Sequence, residues 1–295
     1  MHLINQSKYI IMGLTASIYG GGPFYPGENS ALSTIKDSGF TTVVCWALHV
    51  RPNGDLAYND TLIITNGAYV GDPTWGQQLE EIKEGGTVNR ILFSIGGWET
   101  NDFYHIMNLL NTDGDGTNSI LYKNFEALYH IIPAIDGIDF DDEGNYNINT
   151  ITRFSRMLAN IGFKEITFCP YTNSPFWINC LKSLDGTNPG LVTGFNLQCY
   201  AGGAYNIGRV KKDWIDPLQA AMGKDFDAPG FVDPGLWCKH GDGCTQGMDP
   251  KQIKSQFTKW KKDKITGGFI WLYDDIQKCG NDPGAYADSV LGGLS

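Results

Sequence analysis

Eight short apolar, β-rich runs recur along this 295-residue chain, each separated from the next by a segment long enough for a helix. They fall at 9–14, 41–48, 88–95, 137–141, 165–171, 194–200, 228–232 and 268–273. Helical patterns between them include 30–38, 122–131, 149–161, 214–222 and 250–262, with start signals at Asn149 and at Asp249-Pro250. Strands that alternate with helices pair in parallel and are covered by those helices. Eight such units over about 250 residues fit an α/β fold of the (β/α)8 TIM-barrel type. The alternative, a doubly wound open sheet, calls for a phosphate-binding glycine turn after an early strand. Gly20-Gly21-Gly22-Pro23 leads into prolines instead of a helix. No linker or internal repeat breaks the pattern, so residues 1–295 are expected to form one domain.

The fourth run carries the chemistry. In Asp136-Gly137-Ile138-Asp139-Phe140-Asp141-Asp142-Glu143, acids at 139, 141 and 143 alternate with Ile138 and Phe140. On a strand, this spacing puts the three acids on one face, neighbours roughly 6.5 Å apart. Three like charges that close, partly buried, cannot all ionise at neutral pH, so at least one should hold a proton. A carboxylic acid beside a carboxylate suits general acid–base catalysis. A solvated loop would not be bounded by the apolar stretch 131–135, and calcium prefers a flexible loop with carbonyl ligands. Barrel chemistry sits at the C-terminal ends of the strands, where these acids fall. Other strand ends supply Trp46, Ser94-Ile95-Gly96-Gly97-Trp98, Tyr171, Gln198-Cys199-Tyr200 and Trp271. Flat aromatic faces are platforms for the apolar faces of sugar rings. Gly96 and Gly97 are expected to leave room for substrate.

Composition narrows the partners. A formal charge of −10 and a pI near 4.9 disfavour nucleic acid and anionic membranes, both of which reward basic clusters. No run of about twenty apolar residues is present to span a membrane. Residues 9–18 resemble a short secretory h-region, but only His2 and Lys8 precede them, and they read as a first strand. With seven cysteines at least one is unpaired within the chain. Cys238 and Cys244 flank a Gly-rich loop and could pair. No CxxC spacing suggests zinc, so no metal or cofactor is expected. Asn111-Thr112-Asp113-Gly114-Asp115-Gly116 has some features of a calcium loop, but Tyr122 stands in place of the bidentate Glu, and the segment reads as a solvent loop.

The stretch from Asp136 to Glu143 resembles the DGxDxDxE strand-four motif of glycoside hydrolase family 18, the chitinases and endo-β-N-acetylglucosaminidases. Ser94-Ile95-Gly96-Gly97 is similar to that family's SxGG strand-three motif, Gln198-Cys199-Tyr200 to its strand-six Tyr position, and the segment ending at Trp271 to its strand-eight Trp. The matches run in order over most of the chain. The resemblance implies a substrate-assisted mechanism, an exception to the two-carboxylate scheme. Glu143 would protonate the glycosidic oxygen and later act as base, and the sugar's own 2-acetamido carbonyl would attack C1. Asp141 would orient that group, Asp139 would share a proton with Asp141, and Tyr200 would hydrogen-bond the acetamido oxygen. Trp271 would floor the −1 site, with Gln198 where many members have Met. Gly96, Gly97, Trp98, Tyr171 and Trp46 would border substrate, Trp177 and Trp237 would be further platforms, and Asp142 would point outward in a structural role.

The implied partner is chitin or an N-acetylglucosamine oligosaccharide, acted on by a monomer. The substrate class favours an extracellular setting, though no clear signal peptide marks the chain. Only about 35 residues separate strands seven and eight, too few for the α+β insertion of many processive members. A compact barrel without that insertion, with an open groove and endo cleavage, is the expectation. Cleavage of the chitobiose core of N-glycans is the alternative. A non-catalytic sugar-binding barrel is a third, at odds with the presence of Glu143, Asp141 and Tyr200.

Overall fold

The computed structural model describes residues 13–28 and 30–295. Its strands are β1 (Thr15–Gly20), β2 (Thr42–Val50), β3 (Leu56–Tyr58), β4 (Thr61–Thr65), β5 (Ala68–Tyr69), β6 (Arg90–Gly96), β7 (Gly137–Asp141), β8 (Glu165–Phe168), β9 (Val192–Gln198), β10 (Val232–Trp237) and β11 (Gly267–Trp271). Parallel pairing runs β1–β2–β6–β7–β8–β9–β10–β11, and β11 pairs back onto β1, closing an eight-stranded barrel. Helices follow the strands and cover the outside. Their apolar faces and the outward strand residues form one continuous core, including Phe93, Phe140, Phe154, Trp177 and Trp214.

The inside of the barrel is a second, smaller core of Tyr19, Val44, Leu92, Cys169, Tyr200 and Phe269. This is the period-two pattern of strands buried on both faces: alternate residues serve the two cores. At the bottom of the barrel the filling becomes ionic. Arg90 donates from Nε and Nη2 to the two oxygens of Glu165 at 2.9 and 2.8 Å. Asp233 shares this region; burial pushes its carboxyl up to about 6, and the nearby Arg90 charge opposes the rise.

Local signals explain several elements. Helix Ile148–Ile161 begins where Asn147 Oδ1 accepts from Thr150 N, two residues before the Asn149 start expected from sequence, and ends at Gly162, whose φ of 133° suits glycine. Helix Pro250–Trp260 opens on a full capping box between Asp249 and Gln252, with proline in its first turn. Between β10 and β11 lie one 3-10 turn, this helix and a second 3-10 turn, with no inserted α+β unit.

Three expectations need correction. The first strand is Thr15–Gly20; of the expected run 9–14, residues 9–12 lie outside the described residues, and Gly13 and Leu14 precede the strand. Strand seven is Val232–Trp237, whereas residues 228–231 form a one-turn helix capped by Asp227. Pro234 and Gly235 inside that strand mask its β character, because both residues ordinarily weaken strands. The disulfide joins Cys244 to Cys279, not Cys238 to Cys244, and Cys238 is a free buried thiol. Cys279 follows the strand-eight rim, so its proximity depends on barrel closure and not on sequence spacing.

One element has no counterpart in the expected pattern. β2 continues past the barrel rim and pairs antiparallel with β3, which pairs with β4 and β4 with β5. The excursion is anchored to β1: Tyr58 Oη donates to the carbonyls of Gly20 and Gly21 at 3.1 and 2.9 Å.

Candidate active site

The acids of β7 sit at the upper end of the barrel. Asp139 is fully buried and receives four donated hydrogen bonds. Ser94 Oγ (2.7 Å) and Tyr19 Oη (3.0 Å) reach Oδ2; Thr167 Oγ1 (2.5 Å) and Asn196 Nδ2 (3.0 Å) reach Oδ1. Burial pushes its pKa up, and these four donors pull against that rise. All the sites on Asp139 are thereby committed to β1, β6, β8 and β9. Asp141 makes its contacts elsewhere.

Asp141, one strand period higher and 2 % exposed, accepts from Gln198 Nε2 at 2.9 Å. The same amide reaches Glu143 Oε1 at 3.3 Å and the Cys169 carbonyl at 3.2 Å. Gln198 therefore clamps the two carboxyl groups together. Burial first, then the Glu143 and Asp139 charges, hold the Asp141 pKa well above the usual carboxylate range. Glu143 is half-buried, and burial raises its pKa while hydrogen bonds with Gln198 and Asp141 draw it back. Both carboxyl groups are thus pushed toward their protonated forms, and they titrate as a pair. β7 ends at Asp141, so Glu143 lies in the loop beyond it and not on the strand as the alternation alone predicts.

The loop is shaped by Asp142. Asp142, expected to point outward in a structural role, is structural but not solvent-facing: it is 3 % exposed and accepts from the backbone N–H groups of Gly144, Asn145 and Tyr146 at 3.1, 2.8 and 3.0 Å. An aspartate that hydrogen-bonds its own following backbone builds a tight turn, and this one aims Glu143 back at Gln198.

Aromatic rings ring the rim. Tyr200 stacks on Trp271 (centroids 5.8 Å apart, planes 20° apart), and Trp46 meets Trp271 edge-on at 4.8 Å. Burial holds the Tyr200 phenol well above its ordinary pKa, so it is a neutral donor. Its hydroxyl makes no hydrogen bond among the described residues. Trp98 is 69 % exposed on the loop after β6. Tyr171, half-buried on the loop after β8, accepts at its carbonyl from Asn206 Nδ2 and Tyr205 Oη.

Two platform assignments fail. Trp177 is fully buried against Phe168 and Phe176 in the outer core. Trp237 has one face covered by the His240 ring at 3.8 Å, and its indole N–H is taken by Asp275 at 2.8 Å. Gly96 and Gly97 serve close approach rather than empty space. Both have φ above 100°, and a Cβ on Gly96 would collide with the Asp141 carbonyl. A Cβ on Gly97 would lie 3.1 Å from the Trp46 ring.

Of the donors to Asp139, Ser94 lies in the SxGG stretch, whereas Tyr19, Thr167, Asn196 and the clamp made by Gln198 escape motif reading. Thr167 and Asn196 are polar residues inside otherwise apolar strands, and that incongruity is the available signal. Among the described residues, no three His, Cys, Asp or Glu side chains are placed to hold a metal ion.

No protein-family model and no curated protein matches the chain by sequence. Solved structures do match its fold. A GH18 chitinase from Pseudoalteromonas aurantia is 14 % identical, with a TM-score of 0.66 over 95 % of this chain and 100 % of that one. The catalytic domain of a hyperthermophilic chitinase from Pyrococcus furiosus is 10 % identical, with a TM-score of 0.68 over 95 % of each chain. A plant class V chitinase mutant from Cycas revoluta, in complex with (GlcNAc)3, is 11 % identical, with a TM-score of 0.58 over 93 % of this chain and 99 % of that one. The barrel described above is thus the fold of GH18 chitinases.

Proposed function

We propose that the chain is a retaining, endo-acting chitinase that hydrolyses β-1,4-linked N-acetylglucosamine polymers with help from the substrate's own acetamido group. The observation that carries this is the clamp: two carboxyl groups at the barrel rim, Asp141 and Glu143, bound to one Gln198 amide beside a stacked Tyr200–Trp271 pair. Likeness of fold to chitinases, one of them solved with (GlcNAc)3, supports the same substrate class.

Glu143 is the proton donor to the glycosidic oxygen. Its raised pKa keeps a protonated fraction at higher pH than an ordinary glutamate, which a general acid requires. The acetamido carbonyl oxygen attacks C1 as the leaving sugar departs, giving an oxazolinium ion. Asp141 faces the acetamido N–H and holds it in line; as positive charge develops there, its carboxylate form is favoured. The Tyr200 hydroxyl donates to the acetamido oxygen, and Trp271 supports the sugar ring. Glu143, now ionised, takes a proton from water, which opens the oxazolinium with net retention. Asp139, held by four protein donors, lies beneath Asp141, and its charge favours the protonated form of Asp141 until the acetamido group becomes positive.

The short β10–β11 connection leaves the groove without an added wall, which supports cleavage of internal bonds. Mass spectrometry of products from chitin hexamer, with the anomer followed by NMR, tests the assignment. Mixed dimer, trimer and tetramer products with β-anomers first are expected. Release of single sugars from one end, or α-anomers first, would overturn it. A high-mannose glycoprotein assayed in parallel is expected to remain intact.

A further inference from the structure

Trp237 and Trp271 are the last residues of β10 and β11, and they pair in register. Their side chains leave neighbouring strands toward the same rim, with Tyr200 packed against both at 5.7 and 5.8 Å. Over the outer face of Trp237 lies His240, nearly parallel to it (13°) at 3.8 Å. The chain then turns back, and His240 and Gln246 exchange a pair of 3.2 Å backbone hydrogen bonds. Gly247 must be glycine for this: its φ is 68°, and a Cβ there would collide with the Cys238 carbonyl and press on the His240 ring. The tip of the hairpin is fixed by the Cys244–Cys279 disulfide to the segment that also carries Asp275, the acceptor for Trp237.

The imidazole is therefore held from three directions, yet only half of its bonding capacity is used. Nδ1 lies 2.9 Å from the Cys238 carbonyl, an acceptor only, so Nδ1 carries the ring proton. In the neutral ring, Nε2 is then an acceptor, and it has no partner among the described residues. A rigid ring that continues the Trp271–Tyr200–Trp237 aromatic rim, with one unspent acceptor, matches a sugar: an apolar face to stack and a hydroxyl to donate.

We propose that His240 is a substrate contact, binding an N-acetylglucosamine unit beyond the one over Trp271 and accepting a sugar hydroxyl at Nε2. This inference rests on the carbohydrate assignment above and extends it to chain-length preference. Without such a role, His240 would only shield Trp237, and its removal would affect ligands of every length alike.

Binding is measured by tryptophan fluorescence and calorimetry on the full chain carrying Glu143→Gln, with N-acetylglucosamine oligomers from dimer to hexamer. Adding His240→Ala is expected to weaken hexamer binding about three- to tenfold, the range for one hydrogen bond, and dimer binding by less. His240→Phe, which keeps the stacked ring and removes Nε2, is expected to fall between. An equal factor at every length, or no change at all, overturns the inference; so does hexamer affinity in His240→Phe equal to that of the histidine. Hydrolysis by the unmutated chain is scored separately. Absent hydrolysis with length-dependent, His240-dependent binding would remove the chitinase assignment and keep this one, and hydrolysis with His240-independent binding would do the reverse. No binding of any oligomer would remove both.

Discussion

At the residue scale, catalysis is divided between two carboxyl groups joined by one amide. Glu143→Gln is expected to abolish turnover while oligosaccharide binding persists, as hydrolysis and binding assays on the same preparation would report. Asp141→Asn keeps the shape but cannot become anionic, and is expected to cost about 3–5 kcal/mol of barrier, several orders of magnitude in kcat. Gln198→Leu gives a signed prediction. The Gln198 amide favours ionised Glu143, so its loss raises the Glu143 pKa further. The general acid would then stay protonated to higher pH, and the alkaline limb of the kcat/KM profile should shift upward. The acids themselves were legible because period-two alternation is a property of sequence alone. The clamp was not: Gln198 is 55 residues from Glu143 in sequence, and only the closed barrel brings them together. Trp177 misled for a related reason, since a tryptophan just beyond a strand reads the same whether it faces sugar or core.

At the element scale, the strands with strong apolar runs were legible, and β1 and β10 were displaced. Both are poor in large aliphatic residues, being built of Thr, Ala, Ser, Gly and Pro as well as Ile, Tyr, Val and Leu. The β3–β5 excursion was missed because short antiparallel segments with turn residues read as loop. The Cys244–Cys279 bond closes a separation of 35 residues, for which chain entropy gives stabilisation of about 2–4 kcal/mol. Cys279→Ser is expected to lower the denaturation midpoint accordingly in urea titrations. Gly96→Ala is expected to cost more than an ordinary surface change, about 1–3 kcal/mol from the backbone conformation alone. Its collision with the Asp141 carbonyl would add to that and displace the acid pair, so activity should fall along with stability.

At the scale of the whole molecule, the bottom of the barrel sets a pH dependence separate from that of catalysis. Asp233 titrates near 6 in the folded chain against 3.8 for the ordinary side chain, so the folded form binds more protons between those values. Stability is therefore expected to fall as pH rises from about 4 to 6, and Asp233→Asn should flatten that slope in denaturation series. Nothing in the sequence marks Asp233 as different from the other aspartates; its shift comes from burial inside the closed barrel, against the pull of Arg90, distant in the chain and adjacent in space.

The four donors around Asp139 come from four different strands. A buried carboxyl group left with even one of them missing would be poorly satisfied, so partial opening of the cylinder and dismantling of the reaction centre become the same event. Heated slowly, such a protein has no range in which it is still shaped but already inert: its loss of turnover and its loss of near-ultraviolet dichroism should trace a single curve.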